Sequence, residues 1–226
     1  MITVGIATLK EREDSFRRAI ESIYDQVDII FAVLNFYDHA PDWLIAMPKV
    51  KWITAFNILG ASGKFLTTFN AEGYYLALDD DLIVPEGYVK KMISAVDKYR
   101  CVVSLHGKRF DGEKPIKSYR KDFTTNIRCL DYWGQDTEVD VAGTGCCAFH
   151  TDHFKPHIYD FQYPNKVDVE FSALAHKAGV KLICLSHPKG YLKYIKPEGQ
   201  TIWQKEVDDP IQTSIVNGFL SDTKKA

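Results

Sequence analysis

Tyr74-Tyr75-Leu76-Ala77-Leu78-Asp79-Asp80-Asp81-Leu82-Ile83-Val84-Pro85 runs from an apolar segment straight into three carboxylates. Tyr74 to Leu78 has the aromatic and aliphatic character of a buried strand, and Pro85 suits the first turn of a helix predicted over Glu86 to Tyr99. The carboxylates then fall at the carboxyl end of a strand, where open α/β sheets place their ligands. Adjacent carboxylates repel unless a cation or strong donors neutralise them, and packing alone gives no reason to gather them. A hard divalent cation meets that need, because magnesium and manganese prefer oxygen ligands and share them with substrate phosphates. The competing uses of such residues are a solvated acidic loop and, for Asp81, a helix cap.

Upstream, Ile2 to Ala7 reads as an interior strand followed by the polar turn Thr8 to Arg12. Phe16, Ala19, Ile20 and Ile23 recur at helical spacing and predict a helix over Ser15 to Tyr24. Strands are expected at Asp28 to Asn35 and Lys51 to Phe56, which opens a doubly wound, mostly parallel sheet. Gly60-Ala61-Ser62-Gly63-Lys64 precedes a predicted helix over Lys64 to Ala71. Small residues and a lysine at a helix start bring backbone donors and one cation to a phosphate, although the spacing is not that of a Walker motif and an ordinary loop shares the pattern.

Downstream, Val89, Met92, Ile93 and Val96 form the inward face of the helix after the triplet, and Cys101 to Leu105 is a further strand. His106 to Asn126 has no clear periodicity and reads as a functional loop or lid. Lys108, Arg109, Lys114, Lys117, Arg120, Lys121 and Arg128 outnumber Asp111, Glu113 and Asp122 around it, which gives either a solvated loop or a surface for an anionic acceptor or donor phosphates. Val139 to His150 is apolar, with Gly143 and Gly145 allowing close approach to a ligand. Asp168 to Ala178 reads as a helix stopped by Gly179, Val180 to Leu185 as a late strand, and Ile211 to Phe219 as a short terminal helix.

The 226 residues carry a net charge of −2 and 46% hydrophobic residues, ordinary for a globular chain, with no global attraction to nucleic acid or membrane. The simplest count is one domain over 1–226, with a nucleotide-binding half at about 1–105, an acceptor and catalytic half at about 106–190, and a tail at 191–226. No segment approaches a membrane span and no secretory leader is evident. Cys101, Cys129, Cys146, Cys147 and Cys184 lack zinc spacing and read as reduced thiols in a cytoplasmic protein.

In order and spacing, ATLKEREDSF, GASGKF, LALDDDLIVPEGYV, VAGTGCCAFHTDHF and VDVEFSALAHKAGVKLI resemble the GT-A glycosyltransferases, a three-layer α/β/α fold, and within them family 2. The resemblance covers roughly residues 1–190. It implies a nucleotide-sugar donor, favouring a UDP-sugar, and manganese or magnesium. Asp79 and Asp81 take the place of the Asp-x-Asp pair, with Asp81 at the metal and Asp79 shared between metal and donor, and Asp80 between them at the donor. By the same resemblance Thr8, Arg12, Asn35, Gly63 and Lys64 border the nucleotide, His187 is a third metal ligand, and Gly143 to Gly145 border the sugars. Asp168 matches the general base of inverting members, with Glu170 as the alternative because Val167 replaces the usual Glu before it. Of the family's Gln-x-x-Arg-Trp motif, Gln200-Thr201-Ile202-Trp203 keeps only part. The resemblance points to transfer of a single sugar to a hydroxyl on a saccharide, lipid, protein or modified DNA base, the last served by the basic loop Lys108 to Arg128. Rival readings are a sugar nucleotidyltransferase, which needs a glycine-rich loop that ATLKERED lacks, and an inactive nucleotide- or glycan-binding module. Asp80 is expected to tolerate substitution best of the three acidic residues.

Overall fold

The computed structural model describes residues 1–112, 114–196 and 210–222. Its strands are β1 (Ile2–Leu9), β2 (Ile29–Asn35), β3 (Val50–Ala55), β4 (Tyr74–Leu78), β5 (Leu82–Ile83), β6 (Val102–Ser104), β7 (Gly107–Phe110), β8 (Phe123–Ile127), β9 (Thr137–Glu138), β10 (Val141–Ala142), β11 (Cys146–His150), β12 (Leu182–Cys184) and β13 (Lys193–Tyr194). Its helices are α1 (Glu13–Ile23), α2 (Asp42–Ile45), α3 (Tyr88–Tyr99), α4 (Val167–Lys177) and α5 (Pro210–Asp222). Eight strands form one mostly parallel sheet in the order β3-β2-β1-β4-β11-β6-β12-β9, with β9 and β11 reversed. β1 is paired in parallel with β2 on one side and β4 on the other, so the ends of these three strands reach the same edge.

Both faces of the inner strands are covered, which is why β1, β2 and β4 read as continuous apolar runs, while the edge strand β3 is mostly exposed. Leu76 and Leu78 join Val4, Ile6, Phe16, Ile20, Met92 and Val96 under α1 and α3. Tyr75 and Ala77 point the other way, into Phe65, Phe149, Phe171 and Ala175 beneath α4. Phe65 lies at the centre of that second layer, stacked on Phe171 at 5.0 Å and Phe161 at 5.3 Å.

Three expectations are corrected. The helix predicted over Lys64 to Ala71 is instead two 3₁₀ segments, Gly60–Phe65 and Thr68–Asn70. A tertiary bond takes one carbonyl that an α-helix would use, with the Tyr75 hydroxyl donating to the Lys64 carbonyl at 2.6 Å, and the Thr68 hydroxyl ties the second segment to the Pro156 carbonyl. The helix after the triplet starts at Tyr88, behind Gly87 at φ +78°, and Leu82–Ile83 forms a strand first, so neither Pro85 nor Asp81 lies in its first turn.

The lid expected over His106 to Asn126 is not one loop. β7 pairs with β8 and β10 in a separate antiparallel sheet. Between β7 and β8, Ile116 and Tyr119 are buried with Val169 and with Val216, Phe219 and Leu220 of α5. Lys108 is buried too, its ammonium 3.8 Å from the Tyr119 ring centre and donating to the Tyr119 carbonyl, which removes it from the expected cationic surface. Of the tail, β13 pairs with β5, and Phe219 of α5 stacks on His176 of α4 at 4.4 Å. Glu113 and Gln200 to Trp203 lie outside the described residues. Among the described residues no helix is long and apolar enough to cross a membrane.

Gly5, in the middle of β1, faces the second layer, where a Cβ would overlap the Lys64 carbonyl and the Tyr75 hydroxyl. Gly5→Ala is expected to destabilise the chain by about 3 kcal/mol, lowering the thermal midpoint by roughly 5–10 °C. Gly218→Ala, within α5 and with open space at its Cβ position, serves as the control and is expected to be neutral or stabilising by about 0.5–1 kcal/mol in the same melts.

Candidate active site

The turn after β4 is anchored through its middle carboxylate. Asp80 is buried, and its two oxygens are taken separately: Thr8, at the end of β1, donates its hydroxyl to Oδ2 at 2.7 Å, and Arg12 donates from Nη1 to Oδ1 at 3.1 Å. The parallel register of β1 and β4 brings Thr8 to this place, and the turn into α1 brings Arg12. Asn35, at the end of β2, donates to the Thr8 carbonyl at 3.1 Å and completes the group. Its Oδ1 is buried without a partner among the described residues, so Asn35 braces β1 against β2 and presents no accessible edge to a base. Thr8, Arg12, Asn35 and Asp80 therefore do come together. Asp80, expected to tolerate substitution best, is the most buried of the three and the one with both carboxylate oxygens bonded to neighbouring elements.

Asp79 and Asp81 flank this anchor. Asp79 is half exposed and forms an ion pair with the buried ammonium of Lys64, delivered by the first 3₁₀ segment. Gly63, beside it, packs against Val33 and Ala7, which lets that segment lie on β1 and β2. The cation nearest Asp81 among the described residues is Arg12, whose Nη1 lies 3.8 Å from its Oδ2. Three carboxylates thus face two cations. Burial, then the charges of Asp79 and Asp80, push the Asp81 carboxyl up to about 7, and Arg12 and Lys64 only partly oppose this.

Asp168 reaches the same edge from the first turn of α4. The Thr144 backbone N–H and hydroxyl both donate to its Oδ1, at 2.8 and 2.6 Å, and no described residue bonds Oδ2. The next residue of that turn, Gly145, accepts from the Asp79 N–H at 2.9 Å, and a Cβ on it would overlap the Asp79 carboxylate. The three-residue turn Gly143-Thr144-Gly145 therefore links the acidic triplet to Asp168. Glu170, the alternative base, is buried and accepts from the backbone N–H groups of Gln162 and Tyr163, so it anchors a loop.

His187 is buried, with Nδ1 2.8 Å from the Leu185 carbonyl and Nε2 3.3 Å from that of Arg128. Both ring nitrogens thus face carbonyls, and among the described residues no three His, Cys, Asp or Glu side chains are grouped to hold a metal. The donor set fits a cation held by Asp81 and Asp79 with its remaining positions left to phosphate and water, as magnesium is commonly held, and does not form an all-protein cage.

Two residues at this edge escape the motif reading. Tyr194, on β13, is placed beside the triplet by the β13–β5 pairing and by the Ile195 N–H donating to the Asp81 carbonyl at 2.9 Å. A two-residue strand carries no periodicity, so nothing in the sequence signals it. His106 follows β6 at the same edge, and its position directly after a strand is the signal that was there to be used.

No family model matches the chain, and no curated protein matches it in sequence. Among solved structures it is similar to TarS 1–349 of S. aureus in complex with UDP-GlcNAc, with a TM-score of 0.56 and 12% identity over 88% of this chain; it spans 59% of that fragment. It is also similar to a nucleotidyl transferase from Methanothermobacter, with a TM-score of 0.52 and 13% identity over 82% of this chain and 86% of that one. At such identities the likeness is one of fold, and the fold is GT-A-like.

The triplet's division of labour has a measurable consequence in metal-free protein. An ordinary carboxyl ionises near 3.8 and Asp81 near 7 in the folded chain, so its burden on folding is absent below about pH 4, grows between these values and is complete above 7. Asp81→Asn is expected to stabilise the chain by about 1–3 kcal/mol at pH 8 and to leave it unchanged at pH 4. Asp80→Ala strands Thr8 and Arg12 and is expected to cost about 2–4 kcal/mol at pH 8. Melts in chelator at the two pH values check both.

Proposed function

We propose that this chain is a metal-dependent, inverting glycosyltransferase that moves one sugar from a nucleotide-diphosphate sugar, a UDP-sugar by preference, to an acceptor hydroxyl. The observation that carries this reading is the Gly143–Gly145 turn, which bonds Asp168 at one residue and Asp79 at the next. A donor whose phosphates lie at Asp79 and Asp81 would thus present its sugar to a carboxylate with one free oxygen.

The chain's residues have separate tasks. Thr8, Arg12 and Asp80 hold the carboxylate turn rigid against the end of β1. Lys64 supplies a buried positive charge next to Asp79, where the leaving diphosphate gathers charge. Asp168 Oδ2 accepts the proton of the acceptor hydroxyl as the oxygen bonds to the anomeric carbon. The bond from that carbon to the phosphate oxygen breaks, and the nucleoside diphosphate leaves with the electron pair. A magnesium or manganese ion on Asp79 and Asp81 would add a Lewis acid for the departing phosphates.

Two features bear on setting and acceptor. Five free cysteines support a reducing, cytoplasmic location. The exposed Arg109, Lys114, Lys117 and Arg128 support an anionic acceptor, including a hydroxylated base in DNA, although Lys108 does not contribute. The turn Leu9 to Arg12, with no glycine and with Arg12 engaged by Asp80, weighs against nucleotidyl transfer from a triphosphate.

A panel of UDP- and GDP-sugars with manganese, magnesium or chelator is expected to give metal-dependent thermal stabilisation and slow donor hydrolysis with at least one donor. Asp168→Asn is expected to lower that turnover by about 10²–10⁴ while leaving nucleotide binding within twofold. Stabilisation without turnover identifies a binding module, and no stabilisation by any donor contradicts the proposal.

A further inference from the structure

The backbone of His106 is fixed on both sides. Its N–H donates to Ser104 Oγ at 3.2 Å, its carbonyl accepts from the Gly143 N–H at 2.7 Å, and Ser104 Oγ in turn donates to the Gly143 carbonyl at 2.7 Å. The ring is seated directly on the turn that joins Asp79 to Asp168: a Cβ at Gly143 would stand 2.7 Å from His106 Cβ and 3.0 Å from ring atoms Cγ and Cδ2. Glycine is thus required there by the ring itself. Both Asp79 and Asp168 lie within electrostatic range of the imidazole, opposing the effect of burial on its charge.

The ring is half-buried, and neither of its nitrogens has a hydrogen-bond partner among the described residues, which leaves both available to a ligand. Two other imidazoles in this chain do have such partners: His187 has backbone carbonyls at both ring nitrogens, and His176 has the Asp140 carbonyl at Nε2, 2.8 Å away. A neutral imidazole offers one donor and one acceptor, a match for sugar hydroxyls, which can both give and receive.

Building on the transfer reaction proposed above, we propose that His106 is a substrate-contacting residue whose ring hydrogen-bonds a hydroxyl of the transferred sugar, between its phosphate end at Asp79 and the attacking hydroxyl at Asp168. His106 moves no proton in this scheme. It selects for the sugar, whereas the nucleoside diphosphate is held elsewhere.

The test compares, by calorimetry with divalent metal present, the binding of a nucleoside diphosphate and of the matching nucleotide sugar chosen from the panel. Wild type, His106→Ala and His106→Gln are expected to bind the nucleoside diphosphate within twofold of one another. The nucleotide sugar is expected to bind about tenfold more weakly to His106→Ala, with His106→Gln recovering part of the loss through its amide. Gly143→Ala, which displaces the ring without deleting it, is expected to reproduce the loss, and with His106→Gln it carries the comparison should His106→Ala not fold. Equal nucleotide-sugar affinity in wild type and variants overturns the inference and leaves the proposed function standing. Parallel loss of nucleoside diphosphate binding overturns it as well, by making His106 structural. A wild type that binds neither ligand contradicts the proposed function itself, and the inference falls with it.

Discussion

A buried carboxylate with both oxygens taken organises this molecule's working edge. Asp80 receives a hydroxyl from β1 and a guanidinium from the start of α1, and so fixes the turn after β4 to the strand and helix beside it. The chain geometry then leaves no choice for its neighbours. With the middle residue turned inward, Asp79 faces Lys64 and the Gly145 turn, and Asp81 faces the edge that β13 covers. A single inward anchor thus holds the two flanking carboxylates close together at the edge, one paired with Lys64 and the other near Arg12.

The charge balance follows from that arrangement. Lys64 and Arg12 pair with two of the three carboxylates; burial raises Asp80 in spite of Arg12, and Asp81, whose partner is most distant, is pushed up to about 7. In a partly buried site such a residue favours either a proton or a cation. The same edge carries Asp168, held through one oxygen, and His106, whose ring nitrogens have no partner among the described residues. Groups that the protein has left unsatisfied therefore gather at one edge, next to groups it has satisfied completely, and that contrast separates scaffold from site.

Much of this was legible in the residues. β4 occupies Tyr74–Leu78 as read and β2 lies within one residue of expectation, because strands buried on both faces leave unbroken apolar runs; β3, mostly exposed at the sheet edge, also lies within one residue. The convergence of Thr8, Arg12, Asn35 and Asp79 to Asp81 was also readable, since parallel strands deliver their ends to one edge. Three identical aspartates, however, carry no mark of which one is buried; the register of β1 against β4 decides it. The 3₁₀ course of Gly60–Phe65 depends on a tyrosine hydroxyl from β4, and the burial of Lys108 depends on Tyr119 and Phe123. Such distant partners outweigh local pattern, and for the same reason His187, placed at the metal by resemblance, is held by backbone carbonyls instead.

The most direct test of the account is a crystal structure of the chain with manganese and a nucleotide sugar that stabilises it. The account predicts diphosphate oxygens and the metal at Asp79 and Asp81, Asp80 still bonded to Thr8 and Arg12, and the anomeric carbon facing Asp168 Oδ2. A nucleotide bound away from the triplet, or one whose sugar points away from Asp168, would contradict it.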